Sequence, residues 1–219
     1  MVDDKIRRLA ELLVDYSTDV KEGDHVLVSA DLPAEPLALE VYKCALLRGS
    51  HPWIRVILPR TRYIFFKYAK DAQLEFFPEH EMAEIKNTNV YIALRAPTNV
   101  RELSGIDPRR IGVRARVLKP IRDWRVEKTR WVVFYYPTEA LAQEAEMSLE
   151  EFEDFVFNSC LIDWSEMSKR LNVLKKVLDA TKKVRIVSAD TDLEFSVEGR
   201  NSVVADGKNN MPDGELFTS

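Results

Sequence analysis

Glu22-Gly23-Asp24-His25-Val26-Leu27-Val28-Ser29-Ala30-Asp31-Leu32-Pro33 is the stretch that decides the fold. Glu22-Gly23-Asp24 reads as a turn. Val26-Leu27-Val28 is a short apolar run, β-branched at both ends, and reads as a buried strand. Similar runs follow at residues 54–58, closed by Pro59, at 90–94, and at 130–136 through Trp131, Val132, Val133, Phe134 and Tyr135. Helical patterns separate them. Ile6, Leu9, Leu12, Leu13 and Tyr16 repeat at helical spacing ahead of the first strand, residues 36–47 form a helix ended by Gly49, and residues 61–87 carry Phe65, Phe66, Tyr68 and Leu74. Strand and helix alternating in this way predict βαβ units. Runs apolar on both sides predict a mostly parallel sheet with helices on both faces, an α/β fold.

Helices are expected at 138–145 and 148–160, the second opened by a capping box of Ser148 with Glu151. Trp164, Met167, Leu171, Leu174 and Leu178 mark a long helix whose stripe is expected to pack against the sheet. After Thr181 the pattern changes. Val184-Arg185-Ile186-Val187 and Leu193-Glu194-Phe195-Ser196-Val197, joined by residues 189–192, predict a β-hairpin that begins a second domain. The expected division is 1–181, an N-terminal α/β domain, and 182–219, the incomplete start of another. The second piece has too little chain for a core of its own.

Of the 219 residues, 46% are hydrophobic and 31% charged, a globular balance, and the net charge of −4 argues against nucleic acid as a partner. No apolar stretch approaches the roughly 20 residues that span a bilayer. The charged Met1-Val2-Asp3-Asp4-Lys5 leads straight into a helix and resembles no leader. Cys44 and Cys160 each lie in an apolar helical pattern and read as buried thiols. The expected setting is cytoplasmic. Glutamine only at 73 and 143, seven glycines and abundant Lys, Arg and Glu fit a hot habitat.

Several chemistries have no support. Ser29-Ala30-Asp31-Leu32-Pro33 contains no glycine, so the dinucleotide fingerprint fails, and neither a GxSxG elbow nor a GxxxxGK[ST] loop occurs. Of His25, His51 and His80, the first two each open a strand and have no His or carboxylate at metal-ligand spacing; a structural or surface role is expected. Asp190, Asp192 and Glu194 alternate on a hairpin turn without the glycine or downstream Glu of a calcium loop. The basic run Arg109, Arg110, Arg114, Arg116, Lys119, Arg122, Arg125, Lys128 and Arg130 reads as a solvated arm or subunit contact. Its interleaved Trp124 and Trp131 leave single-stranded nucleic acid as an alternative, and its arginines an anionic group such as a peptide carboxylate. In the closing segment, turns at Asp206-Gly207 and Asp213-Gly214 present Glu215 at the entrance of a strand, a placement that suits a divalent cation.

Asn210-Met211-Pro212-Asp213-Gly214-Glu215-Leu216-Phe217-Thr218 resembles the signature of the thermophilic metallo-aminopeptidase family, the aminopeptidase T and aminopeptidase S type. So do Asp15-Tyr16-Ser17 with Val20-Lys21-Glu22-Gly23-Asp24, Leu47-Arg48-Gly49-Ser50-His51-Pro52, Arg130-Trp131 with Pro137-Thr138, and Ala140-Leu141-Ala142-Gln143-Glu144-Ala145-Glu146-Met147-Ser148, in the same order along the chain. The resemblance implies an N-terminal α/β domain, a C-terminal domain holding two divalent metal ions (Co, Zn, Mn or Mg), a peptide substrate and a homodimer. It makes Glu215 a metal ligand. The family's other ligands, a second Glu, two His and an Asp, and its active-site Tyr lie downstream. The expectation is therefore an N-terminal fragment of the enzyme, inactive alone. A stand-alone, non-catalytic α/β interaction module is the alternative.

Overall fold

The computed structural model describes residues 3–218; Met1, Val2 and Ser219, the outer ends of the two expected domains, lie outside the described residues. Strands β1 (His25–Asp31), β2 (His51–Ile57), β3 (Val90–Arg95) and β4 (Arg130–Tyr135) form a parallel sheet in the order β2-β1-β3-β4. The expected α/β architecture is present. A parallel pair needs a crossover connection. Helices α1 (Asp4–Glu11), α2 (Glu35–Leu47), α3 (Thr61–Tyr68), α4 (Asp71–Leu74), α5 (Glu79–Lys86), α6 (Pro108–Val117), α7 (Lys119–Lys128), α8 (Glu139–Glu144), α9 (Leu149–Cys160) and α10 (Trp164–Asp179) supply the connections and the flanking layers.

Side chains on a strand alternate between faces. Val26, Val28, Val90, Ile92 and Leu94 enter the larger core with Leu9, Leu13, Leu37, Phe157 and Trp164. Leu27, Tyr91 and Ala93 enter a smaller one with Met82, Ile85, Ile121 and Trp124 of α5 and α7. Helices cover both faces, as the two-sided apolar runs require. Cys44 and Cys160 are buried free thiols, and burial raises the pKa of each, that of Cys160 to about 12.

Local signals explain most boundaries. Gly49, at φ 75°, follows α2 in the left-handed conformation that ends helices. At α9 the Ser148 N–H donates to Glu151 Oε2 at 3.0 Å and Glu151 N–H donates to Ser148 Oγ at 3.3 Å, closing the expected capping box. The single helix expected over 61–87 is three helices. The chain turns extended at Ala69, and Pro78, which lacks an N–H and disfavours helix at the residue before it, separates α4 from α5.

The tail differs from expectation in two respects. The hairpin of β5 (Lys183–Ser188) and β6 (Thr191–Ser196) has a tighter turn than residues 189–192, because Arg185 grips Asp192 through two bonds of 2.7 Å and Lys183 reaches Glu194 at 2.8 Å. These diagonal pairs fix the register. In addition, β8 (Asn210–Met211) adds a parallel fifth strand to β4, with β7 (Ser202–Ala205) and β9 (Glu215–Thr218) pairing antiparallel around it. Met211 thereby joins the larger core. The stripe of α10 divides: Trp164 and Leu171 are buried, while Leu174 stands exposed, as do Val173 and Val177 beside it.

Met211 is 3% exposed and Phe217 43%. Met211→Ala should therefore cost about 2–4 kcal/mol in urea unfolding, and Phe217→Ala less than about 1 kcal/mol. Equal losses would mean that the tail shares no core with the sheet.

Candidate functional site

Residues 206–214 connect β7 to β9, whose register sets Ala205 opposite Glu215. The turn is fastened from below. Tyr16 donates its hydroxyl to the Asp206 carbonyl at 2.9 Å and lies 3.2 Å from the Trp164 carbonyl. A Cβ on Gly207 would stand 3.0 Å from the Trp164 ring and from the Met211 methyl, and φ at Gly207 is +87°, so only glycine fits there. The Gly214 N–H donates to the Ala205 carbonyl at 3.0 Å and closes the turn.

The turn carries three carboxylates with different surroundings. Asp206 is buried, accepts from Ser168 Oγ at 2.8 Å and pairs with Lys208 at 3.2 Å. Asp213 accepts from the Gly207 N–H at 3.4 Å; burial raises its pKa against the pull of the Gly207 and Gly214 amides, and the charges of Glu215 and Asp206 raise it further. Glu215 opens β9 and is exposed, with no hydrogen bond or ion pair among the described residues. Its two neighbours are engaged by donors of the protein, and among the described residues no three His, Cys, Asp or Glu side chains stand together as a metal cage. These residues alone do not fit a two-metal centre, which needs several ligands per ion.

The other sequence candidates are placed as follows. His25 and His51, far apart in sequence, are register partners at the start of β1 and β2, with rings 5.8 Å apart edge to face; His25 Nδ1 lies 3.0 Å from the Asn87 carbonyl. Only the parallel pairing of the strands brings them together, and no sequence spacing announced it. Asp192 and Glu194 serve as the cross-strand partners described above. The basic run is not a solvated arm throughout. Arg110 caps the Phe66 carbonyl at 3.0 Å and the Ala69 carbonyl, Arg114 reaches the Phe76 carbonyl at 2.5 Å, and Arg130 reaches Asp24 at 2.5 Å. The end of α3 leaves carbonyls unsatisfied, and the Arg110 guanidinium supplies the missing donors.

At the carboxyl ends of the strands lies a crevice of about 370 Å3 reaching from Asp31 to Tyr135. The order β2-β1-β3 makes the gap between β1 and β3 the switch point at which open α/β sheets bind ligands. Here Asp31 fills that position, accepting the Ala96 N–H at 2.8 Å and pairing with Arg95 at 3.4 Å.

A family model described as thermophilic metalloprotease (M29) matches residues 2–219. The chain belongs to that family. Aminopeptidase 2 of Geobacillus stearothermophilus is 23% identical over 248 residues, covering 98% of this chain and 60% of the relative. Wild-type AmpT from Thermus thermophilus superposes with a TM-score of 0.75 at 18% identity, over 98% of this chain and 61% of the other. The 2,5-dihydroxypyridine dioxygenase of Pseudomonas putida KT2440 shares the fold at a TM-score of 0.54 and 11% identity, over 97% of this chain and 55% of the other. The chain thus spans about 60% of the length of the first two.

Burial first, and the Asp206 carboxylate next, push the Tyr16 phenol from 10 up to about 12. The folded protein keeps this proton where the unfolded chain loses it. The contribution is therefore complete below pH 10 and lost as pH rises towards 12. Tyr16→Phe should cost about 1 kcal/mol at neutral pH. It should also remove this alkaline loss, as read from chemical denaturation across pH. An unchanged alkaline limb would contradict the assignment.

Proposed function

We propose that this chain is the N-terminal part of a metal-dependent aminopeptidase that removes N-terminal residues from peptides. In this reading Glu215 is one ligand of a pair of divalent cations (Co, Zn, Mn or Mg), and residues from 182 onward begin the metal-binding domain. The remaining ligands belong to chain outside these 219 residues, so the present chain is inactive alone. A cytoplasmic homodimer completes the reading. Among the described residues no helix is long and apolar enough to cross a membrane.

The observation that carries the assignment is the contrast among the three carboxylates of the turn. Asp206 and Asp213 are held by Ser168, Lys208 and the Gly207 amide, whereas Glu215 has no protein donor and stands exposed. An acidic group on a firmly held backbone, with its lone pairs uncommitted, is available to a cation. Membership of a metalloprotease family and the aminopeptidase relative supply the chemistry.

A non-catalytic interaction module has one observation on its side. Val173, Leu174 and Val177 of α10 and Ile186, Val187 and Leu193 of the hairpin are exposed, as a docking face would be.

In a chain as long as the relatives, Glu215→Gln should leave folding nearly unchanged and weaken metal binding. Loss of an anionic ligand removes charge neutralisation together with a bond, so peptidase activity should fall by about 100-fold or more. In the 219-residue chain the same change should leave calorimetric titrations with cobalt, zinc or manganese as weak as before. Tight metal binding by the short chain would refute the shared-site assignment. Full activity of the long Glu215→Gln variant would do the same.

A further inference from the structure

The face of the sheet that carries the smaller core also holds a second cavity, of about 320 Å3. Leu27 and Tyr91 line it from the sheet, Ile85 from α5, and Leu118 and Ile121 from the α6–α7 side. Charged groups on this face are mostly matched. Arg55 pairs with Glu84, and Arg95 pairs with Asp31 and donates to the Tyr91 hydroxyl at 3.2 Å.

Arg125 is not among them. Its guanidinium lies over the rings of Tyr91 and Trp131, 5.2 and 5.7 Å from their centroids, and its Nε is buried with no hydrogen-bond partner among the described residues. Ring faces attract the cation but leave its in-plane donors unmet. Arg122, beside it, has only a 3.9 Å contact with its neighbour Asp123. Glu81 of α5 also lines the cavity and enters no ion pair among the described residues. Burial alone would raise the Tyr91 phenol; the Arg95 charge, the Ser29 hydrogen bond and the Arg125 charge together bring it below the ordinary value. The sheet side of the cavity is thus electropositive.

Arg125 and Glu81 line one cavity, apolar in part, without pairing to each other. Arg125 and the half-buried Glu81 each make no ion pair among the described residues, so each leaves a charge open to a partner of opposite sign. One small molecule satisfies both when it carries a carboxylate and an ammonium on an apolar body. The volume lies at the lower end of the roughly 300–1,000 Å3 of small-molecule sites. Glu81 works against a phosphate or a nucleotide, and the cavity is too small for the latter.

We propose that this cavity binds a free apolar α-amino acid, its carboxylate on Arg125, its ammonium on Glu81, and its side chain against Ile85, Leu118 and Ile121. Planar guanidinium suits a carboxylate because two donors meet two oxygens. Amino acids of this kind are what an aminopeptidase releases. A role as a product-sensing site rests on the function proposed above; the binding itself does not, and either can fail without the other.

The test is calorimetric titration of the full 219-residue chain at constant ionic strength with L-leucine, N-acetyl-L-leucine, which lacks the ammonium, and L-leucinamide, which lacks the carboxylate. Leucine should bind, and each analogue should bind at least about tenfold more weakly. Arg125→Met should abolish leucine binding. Circular dichroism and thermal unfolding would show whether that variant keeps its fold without the aromatic stack. Glu81→Gln, a change on a partly exposed helix surface, gives an independent arm: leucine should weaken about tenfold or more while N-acetyl-leucine stays unchanged. No heat with millimolar leucine would overturn the proposal. So would N-acetyl-leucine or leucinamide binding as tightly as leucine, or leucine binding untouched by Glu81→Gln.

Discussion

A central parallel strand sends side chains to both faces of its sheet, and both faces must be taken out of water. The structure depends on how this chain meets that demand for β1 and β3. On one face the answer is wholly apolar: Val26, Val28, Ile92 and Leu94 meet Leu13, Leu37 and Trp164, with essentially no exposure. On the other the same strands present Ser29, Asp31, Tyr91 and Arg95, and β2 presents Arg55. A period of two sorts these polar residues onto a single side. That side is therefore held by pairings of another kind: Arg125 over Tyr91, Lys86 over Trp124, and the Trp53 indole N–H on Glu84 at 3.1 Å. Charged side chains interdigitate less completely than leucines, and the second cavity lies among them.

The first face was legible in the sequence because hydrophobic periodicity reports burial directly. Val26-Leu27-Val28 and residues 90–94 gave the strands, and Gly49 and Ser148 gave the helix ends through local chemistry. Other features depend on contacts between residues distant in sequence. The two-residue β8 has no pattern of its own, and it exists because Asn210 and Met211 meet Val133 and Phe134. The inward turn of Arg110 and Arg114 answers carbonyls at Phe66, Ala69 and Phe76, some forty residues earlier. A charge run in isolation reads as solvated, since the sequence does not show which helix ends lie beneath it. Glu215 was legible as a residue set at a strand entrance; the commitments of Asp206 and Asp213 became visible only in three dimensions.

The proteins this chain resembles carry different chemistries, one relative named as an aminopeptidase and one protein of shared fold as a dioxygenase. The α/β frame is therefore neutral as to reaction, and chemistry has to be sought in what is attached to it. In this chain the 206–214 turn has a rigid seat. Gly207 against Trp164, the Tyr16 hydroxyl on the Asp206 carbonyl, and Met211 in the core fix the backbone on three sides. A firmly seated loop ordinarily gathers its acidic side chains into its own hydrogen bonds, and two of the three here do so. Glu215 is the one left out, although a serine or lysine within reach would have satisfied it as Ser168 and Lys208 satisfy Asp206. Rigid backbone beneath an uncommitted carboxylate is the arrangement in which a cation gains a ligand without first breaking a bond or ordering a loop, and that lowered cost of binding is the physical reason for proposing Glu215, rather than Asp206 or Asp213, as a ligand.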